Sequence, residues 1–139
     1  MSETQARTRL RRELEAHLSQ LGYSSVRPPR VGRVEPEIVR VSPVRGTIVY
    51  GEVVLAADLR LKKCHERLLS FSQRRTRHRS SILFFIGVEA SHQKALEALL
   101  EQLAIRGGIH GGHVHVVPVA TPERAARRPL ARPQRAQVA

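Results

Sequence analysis

The sequence predicts a single α/β domain with a mixed central β-sheet flanked by helices, in the order α-β-β-(β)-α-β-α-β. Two segments rich in β-branched residues, EIVRV at 37–41 and TIVYGEVVL at 47–55, are joined by SPVRG, a turn long enough for an antiparallel hairpin. SILFFIGV at 81–88 is an unbroken apolar run of strand length, as expected of a central strand covered on both faces. Helical leucine patterns stand between the later strands, which implies parallel crossovers of right-handed sense.

Residues 5–21 place Leu10, Leu14, Leu18 and Leu21 on one helical face, with Gly22 as a stop and Arg7, Arg9, Arg11 and Arg12 around the outside. YSSVRPPRVGRVEP holds three prolines and a glycine and reads as an irregular connection with room for a short edge strand near Arg33 and Val34. After the hairpin, Asp58 is the expected N-cap of a helix from Leu59 to about Arg75, buried through Leu61, Cys64, Leu68 and Phe71. Ser91 is the expected cap of another, with Leu96, Leu99, Leu100 and Leu103 inward and Gly107 and Gly108 closing it. HVHVVPV at 113–119 makes the last strand, and Pro118 assigns its end to a sheet edge. The domain is expected over residues 1–120, and the Ala, Arg and Pro composition of 121–139 predicts a disordered basic tail.

No run of 18 or so apolar residues is long enough to span a bilayer, and the charged, amphipathic N-terminus is unlike a secretory signal. One cysteine, Cys64, excludes an internal disulfide and a cysteine-based zinc knuckle and reads as a small core residue. A cytoplasmic protein with no membrane partner is expected. There are 24 Lys and Arg against 12 Asp and Glu, a formal net charge of +12, and 21 of the cations are arginine. Without residues 1–9 and 121–139 the chain still carries 17 cations and 10 anions. An arginine excess of this kind favours a polyanionic partner, nucleic acid first, because guanidinium forks onto phosphate and each neutralised phosphate releases counterions.

The feature that asks for a chemical explanation is Glu52, at the centre of VYGEVVLA. A carboxylate in a core strand needs a counter-charge, a metal or a solvated cleft. Glu37 opens the preceding strand after Pro36, and hairpin pairing brings the two acids to one end of the sheet, an arrangement able to hold Mg²⁺ or Mn²⁺. PE at 36–37, the hairpin, GEVV at 51–54, a preceding helix with Glu13 and a following helix and apolar strand together resemble the PD-(D/E)XK nuclease superfamily, which includes restriction endonucleases and Holliday-junction resolvases.

The resemblance covers roughly residues 10–119 and implies a restriction-endonuclease-like core and Mg²⁺-dependent cleavage of DNA, often by a homodimer that cuts both strands. It implies that Glu37 and Glu52 are metal ligands, that Glu13 or Glu15 matches the helix-one Glu of some members, and that Gln73 matches a polar residue beside the site. The motif's lysine falls at Val54, which cannot stabilise an attacking hydroxide or the developing charge. Lys62 or Lys63 on the next helix is the replacement cation. A catalytically inactive nuclease fold, kept as a DNA- or RNA-binding module or as a partner subunit, is the alternative. A purely structural reading has Glu37 capping its strand and Glu52 paired with an arginine such as Arg40 or Arg45.

SQRRTRHRSS at 72–81 is the densest basic cluster in the folded region, and Arg74, Arg75, Arg77 and Arg79 are the candidate phosphate contacts. The competing reading is a solvated helix end. His110, His113 and His115 form a weaker candidate for zinc or nickel, and edge-strand histidines facing water are the commoner case. Aromatic residues are few and mostly at core positions, so binding is expected to be electrostatic and not to rest on base stacking. No serine or cysteine stands in a nucleophile motif.

Overall fold

The computed structural model describes residues 2–26, 34–42, 46–74, 76–77, 80–103 and 113–120. Helix α1, Glu3–Gln20, starts two residues before the expected span of 5–21. Ser2 caps it in a reciprocal capping box, the Ser2 hydroxyl accepting from the Gln5 N–H while the Gln5 side chain accepts from Ser2. The helix stops where Gly22 takes φ +96°, a conformation side chains resist, and the Tyr23 N–H bonds back to the Leu18 carbonyl.

Strands β1 (Ser25–Val26), β2 (Ile38–Ser42) and β3 (Thr47–Val54) follow, the last two as the antiparallel hairpin. A 3-10 turn at Ala56–Arg60 leads into α2, Lys62–Gln73. Then come β4 (Thr76–Arg77), β5 (Ser80–Glu89), a 3-10 turn at Ala90–His92, α3 (Gln93–Gln102) and β6 (Val114–Val119).

The six strands form one mixed sheet in the order β1-β2-β3-β5-β4, with β6 also paired to β5. β3, β5 and β6 run parallel, and the other pairings are antiparallel. This is the expected α/β architecture. A short edge strand forms at Ser25–Val26; of the residues where one was expected, Val34 is in no strand and Arg33 lies outside the described residues.

Strand alternation divides the core in two. Ile38, Val49, Val53 and Phe85 face Leu10, Leu14 and Leu18 of α1. Val39, Ile48, Tyr50, Val54, Phe84, Ile86 and Val88 face Leu68 and Phe71 of α2 and Leu96, Leu99 and Leu100 of α3. Gly51 leaves little room beside β2 and α1, where an added Cβ would lie 3.0 Å from Ile38 Cβ and 3.3 Å from Leu14 Cδ2.

Both expected N-caps differ from what forms. The Asp58 carboxylate accepts from the Leu55 N–H at 2.8 Å and so caps the 3-10 turn; α2 begins after it, with Leu61 as a cap that makes no side-chain bond. Likewise α3 starts after a 3-10 turn with His92, not Ser91, at the cap. Leu21 and Leu61, both assigned to buried stripes, are 42% and 51% exposed because each lies just beyond its helix. No helix among the described residues is long and apolar enough to cross a membrane. The closing glycines 107 and 108 and the segment 121–139 lie outside the described residues.

Candidate functional site: an acid cleft filled by guanidinium groups

The hairpin register, with Ile38 opposite Gly51, brings Glu37 to Glu52 as the sequence implies. The Glu37 N–H donates to Glu52 Oε1 at 2.7 Å, so the start of β2 is hydrogen-bonded to the carboxylate. Alternation puts Glu52 on the face shared with Tyr50 and Val54, under α2, where it is 5% exposed. Around it lies a cleft of about 400 Å³. Its charged lining is Arg7, Glu37, Glu52, Asp58, Lys63 and Arg67.

A carboxylate this deep needs a counter-charge, and Arg67 of α2 supplies it as a fork. Arg67 Nη2 donates to Glu52 Oε1 at 2.6 Å and Nε to Oε2 at 3.1 Å. The guanidinium is fixed from two further sides, by the Glu35 carbonyl at 3.2 Å and by the Phe71 ring, whose centroid is 5.0 Å away.

Arg7 does the same for the other acids. It donates to Glu37 Oε1 at 3.1 Å, to Asp58 Oδ2 at 2.5 Å and to the Val53 carbonyl at 3.2 Å. Burial pulls the Arg7 guanidinium down, but Asp58 and Glu37 together outweigh it, and the Glu52 hydrogen bond holds Arg67 up against its own burial, so both lie above their ordinary pKa and stay charged. The Glu37 carboxyl is pushed upward, first by burial and then by the negative charge of Glu52, against the pull of Arg7, Arg11 and Arg67. Cys64, partly buried beside the cleft, has its thiol pushed up to about 11 by burial and by the charges of Asp58 and Glu52.

The partner of Glu52 is thus an arginine, but neither of the two the sequence suggested. Arg40 bonds Glu15 at 2.7 Å on the opposite face of the sheet, and Arg45 lies outside the described residues. The one sequence signal for Arg7 and Arg67 is their place on the buried helix stripes. Arg7 stands three residues before Leu10 on the buried stripe of α1, and Arg67 stands between Cys64 and Phe71 on that of α2.

Of the other proposed residues, Glu13 is exposed and lines a groove with His17, Gln20 and the end of β6, away from the acids. Lys62 is exposed and outside the cleft, whereas its neighbour Lys63 lines it; Gln73 is exposed at the far end of α2. Val54 is 2% exposed in the core.

Strand β4, which carries Thr76 and Arg77 of the basic run, does not border the cleft. Arg77 pairs with Ser80, and Thr76 with Ser81, which also pairs with Thr47, whereas Glu52 pairs with Ile86 five residues further along β5. At about 3.3 Å per residue this puts β4 roughly 17 Å away, at the other end of the sheet. Arg74 is occupied within the fold, donating to the Val34 carbonyl at 3.0 Å and lying 5.0 Å over the Phe71 ring. Arg75, Arg79 and His110 lie outside the described residues. The imidazoles of His113 and His115 go to different partners: His113 Nε2 is 2.8 Å from the Ser72 carbonyl of α2, and His115 stacks on Phe85 at 4.6 Å on the α1 side.

A divalent ion at Glu37 and Glu52 is what the nuclease resemblance implies, and the donor set does not fit it. Both Glu52 oxygens accept from Arg67, Oε1 also accepts the Glu37 N–H, and the Arg7 guanidinium lies on Glu37 and Asp58. A hard dication needs several free oxygens at short range, and two fixed cations oppose its entry. Among the described residues no group of three or more His, Cys, Asp or Glu is placed to hold a metal ion. Comparison with protein-family models, with curated proteins and with solved structures finds no match.

Proposed function

We propose that the chain is a nucleic-acid-binding protein on a nuclease-like α/β fold, with DNA as its foremost partner and without metal-dependent catalysis at Glu37 and Glu52. The observation that carries the binding half is where the surplus charge falls. Twelve of the 24 cations and none of the 12 anions fall in three short stretches of sequence, 27–33, 74–79 and 124–135. Arginine concentrated in this way suits a phosphate backbone read by charge and shape. The saturated acid cleft supports the absence of catalysis.

The test is fluorescence anisotropy of the full chain on duplex DNA and single-stranded RNA between about 50 and 200 mM salt. Each phosphate contact contributes about 0.9 to the slope of log affinity against log salt on duplex DNA. Replacing Arg75, Arg77 and Arg79 by alanine is expected to flatten that slope by about 2 to 3. No binding to either polymer would overturn the reading in favour of an interaction protein. The second reading, a Mg²⁺- or Mn²⁺-dependent DNA endonuclease, is favoured by Lys63, which lines the same cleft as Glu37 and Glu52. It predicts duplex cleavage that stops in Glu52→Gln while binding survives.

A further inference from the structure

We infer that Arg67 and Arg7 are built-in replacements for a divalent ion: the cleft excludes metal because two guanidinium groups occupy it, and removing Arg67 turns it into a cation site. The inference does not depend on nucleic-acid binding. A dication bridging acids from β2, β3 and the following turn would neutralise them and tie those elements together. The two arginines do both. Arg7 joins α1 to Glu37, the Val53 carbonyl and Asp58, and Arg67 joins α2 to Glu52 and the Glu35 carbonyl.

Neither group is a loose surface cation. Arg67 is gripped by a carboxylate fork, a carbonyl and a ring, and its partner Glu52 is 5% exposed. Guanidinium suits such a place, since it cannot be deprotonated and its planar donors match a carboxylate edge. An entering ion must therefore displace Arg67 from all of these contacts at once. With Arg67 gone, Glu52 keeps only the Glu37 N–H, and its free oxygens stand beside Glu37 in a cleft wide enough for a partly hydrated ion.

The experiment is Mn²⁺ titration of the full chain, read by calorimetry and by thermal unfolding. The original chain is expected to show no saturable binding and no change in melting temperature at millimolar Mn²⁺. Arg67→Met is expected to melt lower and to regain melting temperature with saturable Mn²⁺ binding, as a ligand that binds only the folded form must cause. Arg67→Met with Glu52→Gln is expected to fold without metal and to bind none. If Arg67→Met alone does not fold, it should fold when Mn²⁺ is present. Saturable binding by the original chain that Glu52→Gln abolishes would overturn the inference. So would an Arg67→Met protein that Mn²⁺ neither binds nor restores while the double variant folds.

Discussion

Arg67→Ala isolates the contact that decides how Glu52 is tolerated. The substitution removes two charge-assisted hydrogen bonds, at 2.6 and 3.1 Å, from a carboxylate that is 5% exposed, and leaves it one N–H at 2.7 Å. Breaking a buried pair by deleting one partner costs about 3–5 kcal/mol, chiefly because the remaining charge is stranded. The Arg67 side chain is 27% exposed, so water can reach the vacated space, and the lower end, about 3 kcal/mol, is the expected loss. For a domain of this size that is a fall in melting temperature on the order of 10 °C. Urea unfolding at neutral pH, with the m-value checked for constancy, measures it directly. Adding Glu52→Gln to Arg67→Ala should recover part of the loss, because an amide strands no charge. A loss below about 1 kcal/mol, or a double variant less stable than Arg67→Ala, would refute the reasoning, since exposed pairs contribute only about that much.

Two other perturbations test the packing and electrostatics around the cleft. Gly51→Ala places a methyl 3.0 Å from Ile38 Cβ and 3.3 Å from Leu14 Cδ2, so α1 or β2 must shift; a loss of about 1–3 kcal/mol by urea unfolding is expected, and an unchanged midpoint would contradict the close approach of α1. The Glu37 carboxyl lies above its ordinary value of 4.5, so the folded chain holds that proton more tightly than the unfolded one. Its contribution therefore favours folding below about pH 4.5 and is lost as pH rises through the raised value. Unfolding free energies from about pH 4 to 7 should show the original chain losing stability relative to Glu37→Gln as pH rises; the opposite trend would mean that Arg7 outweighs burial.

Much of this was legible in the chain because periodicity reports burial. The leucines of α1, the hairpin of β2 and β3 and the apolar run of β5 are each set by which face meets the core, and all form as the spacing implies. The two-residue strands were not, since Ser25–Val26 and Thr76–Arg77 are defined by pairing with a neighbour and have no pattern of their own. The caps at Asp58 and Ser91 misled for a related reason. An acceptor before a helical pattern fits a 3-10 turn as well as an α-helix, and the Leu55 N–H decided the case of Asp58.

At the site, the convergence of Glu37 and Glu52 followed from hairpin register alone. The identity of their counter-charges did not, because Arg7 and Arg67 come from helices on opposite faces of the sheet, and only the packed fold brings them to one cleft. The arginine run at 74–79 looked close to the acids along the chain, yet β4, which holds Arg77, pairs at the other end of the sheet, and Arg74 bonds within the fold.

Guanidinium groups neutralise the acids of the cleft. A crystal structure grown with millimolar Mn²⁺ and recorded at a wavelength where manganese scatters anomalously tests whether a metal can take their place. Arg67 is expected on both oxygens of Glu52, Arg7 between Glu37 and Asp58, and no anomalous density among them. A manganese peak bridging Glu37 and Glu52, with Arg67 displaced, would contradict that expectation.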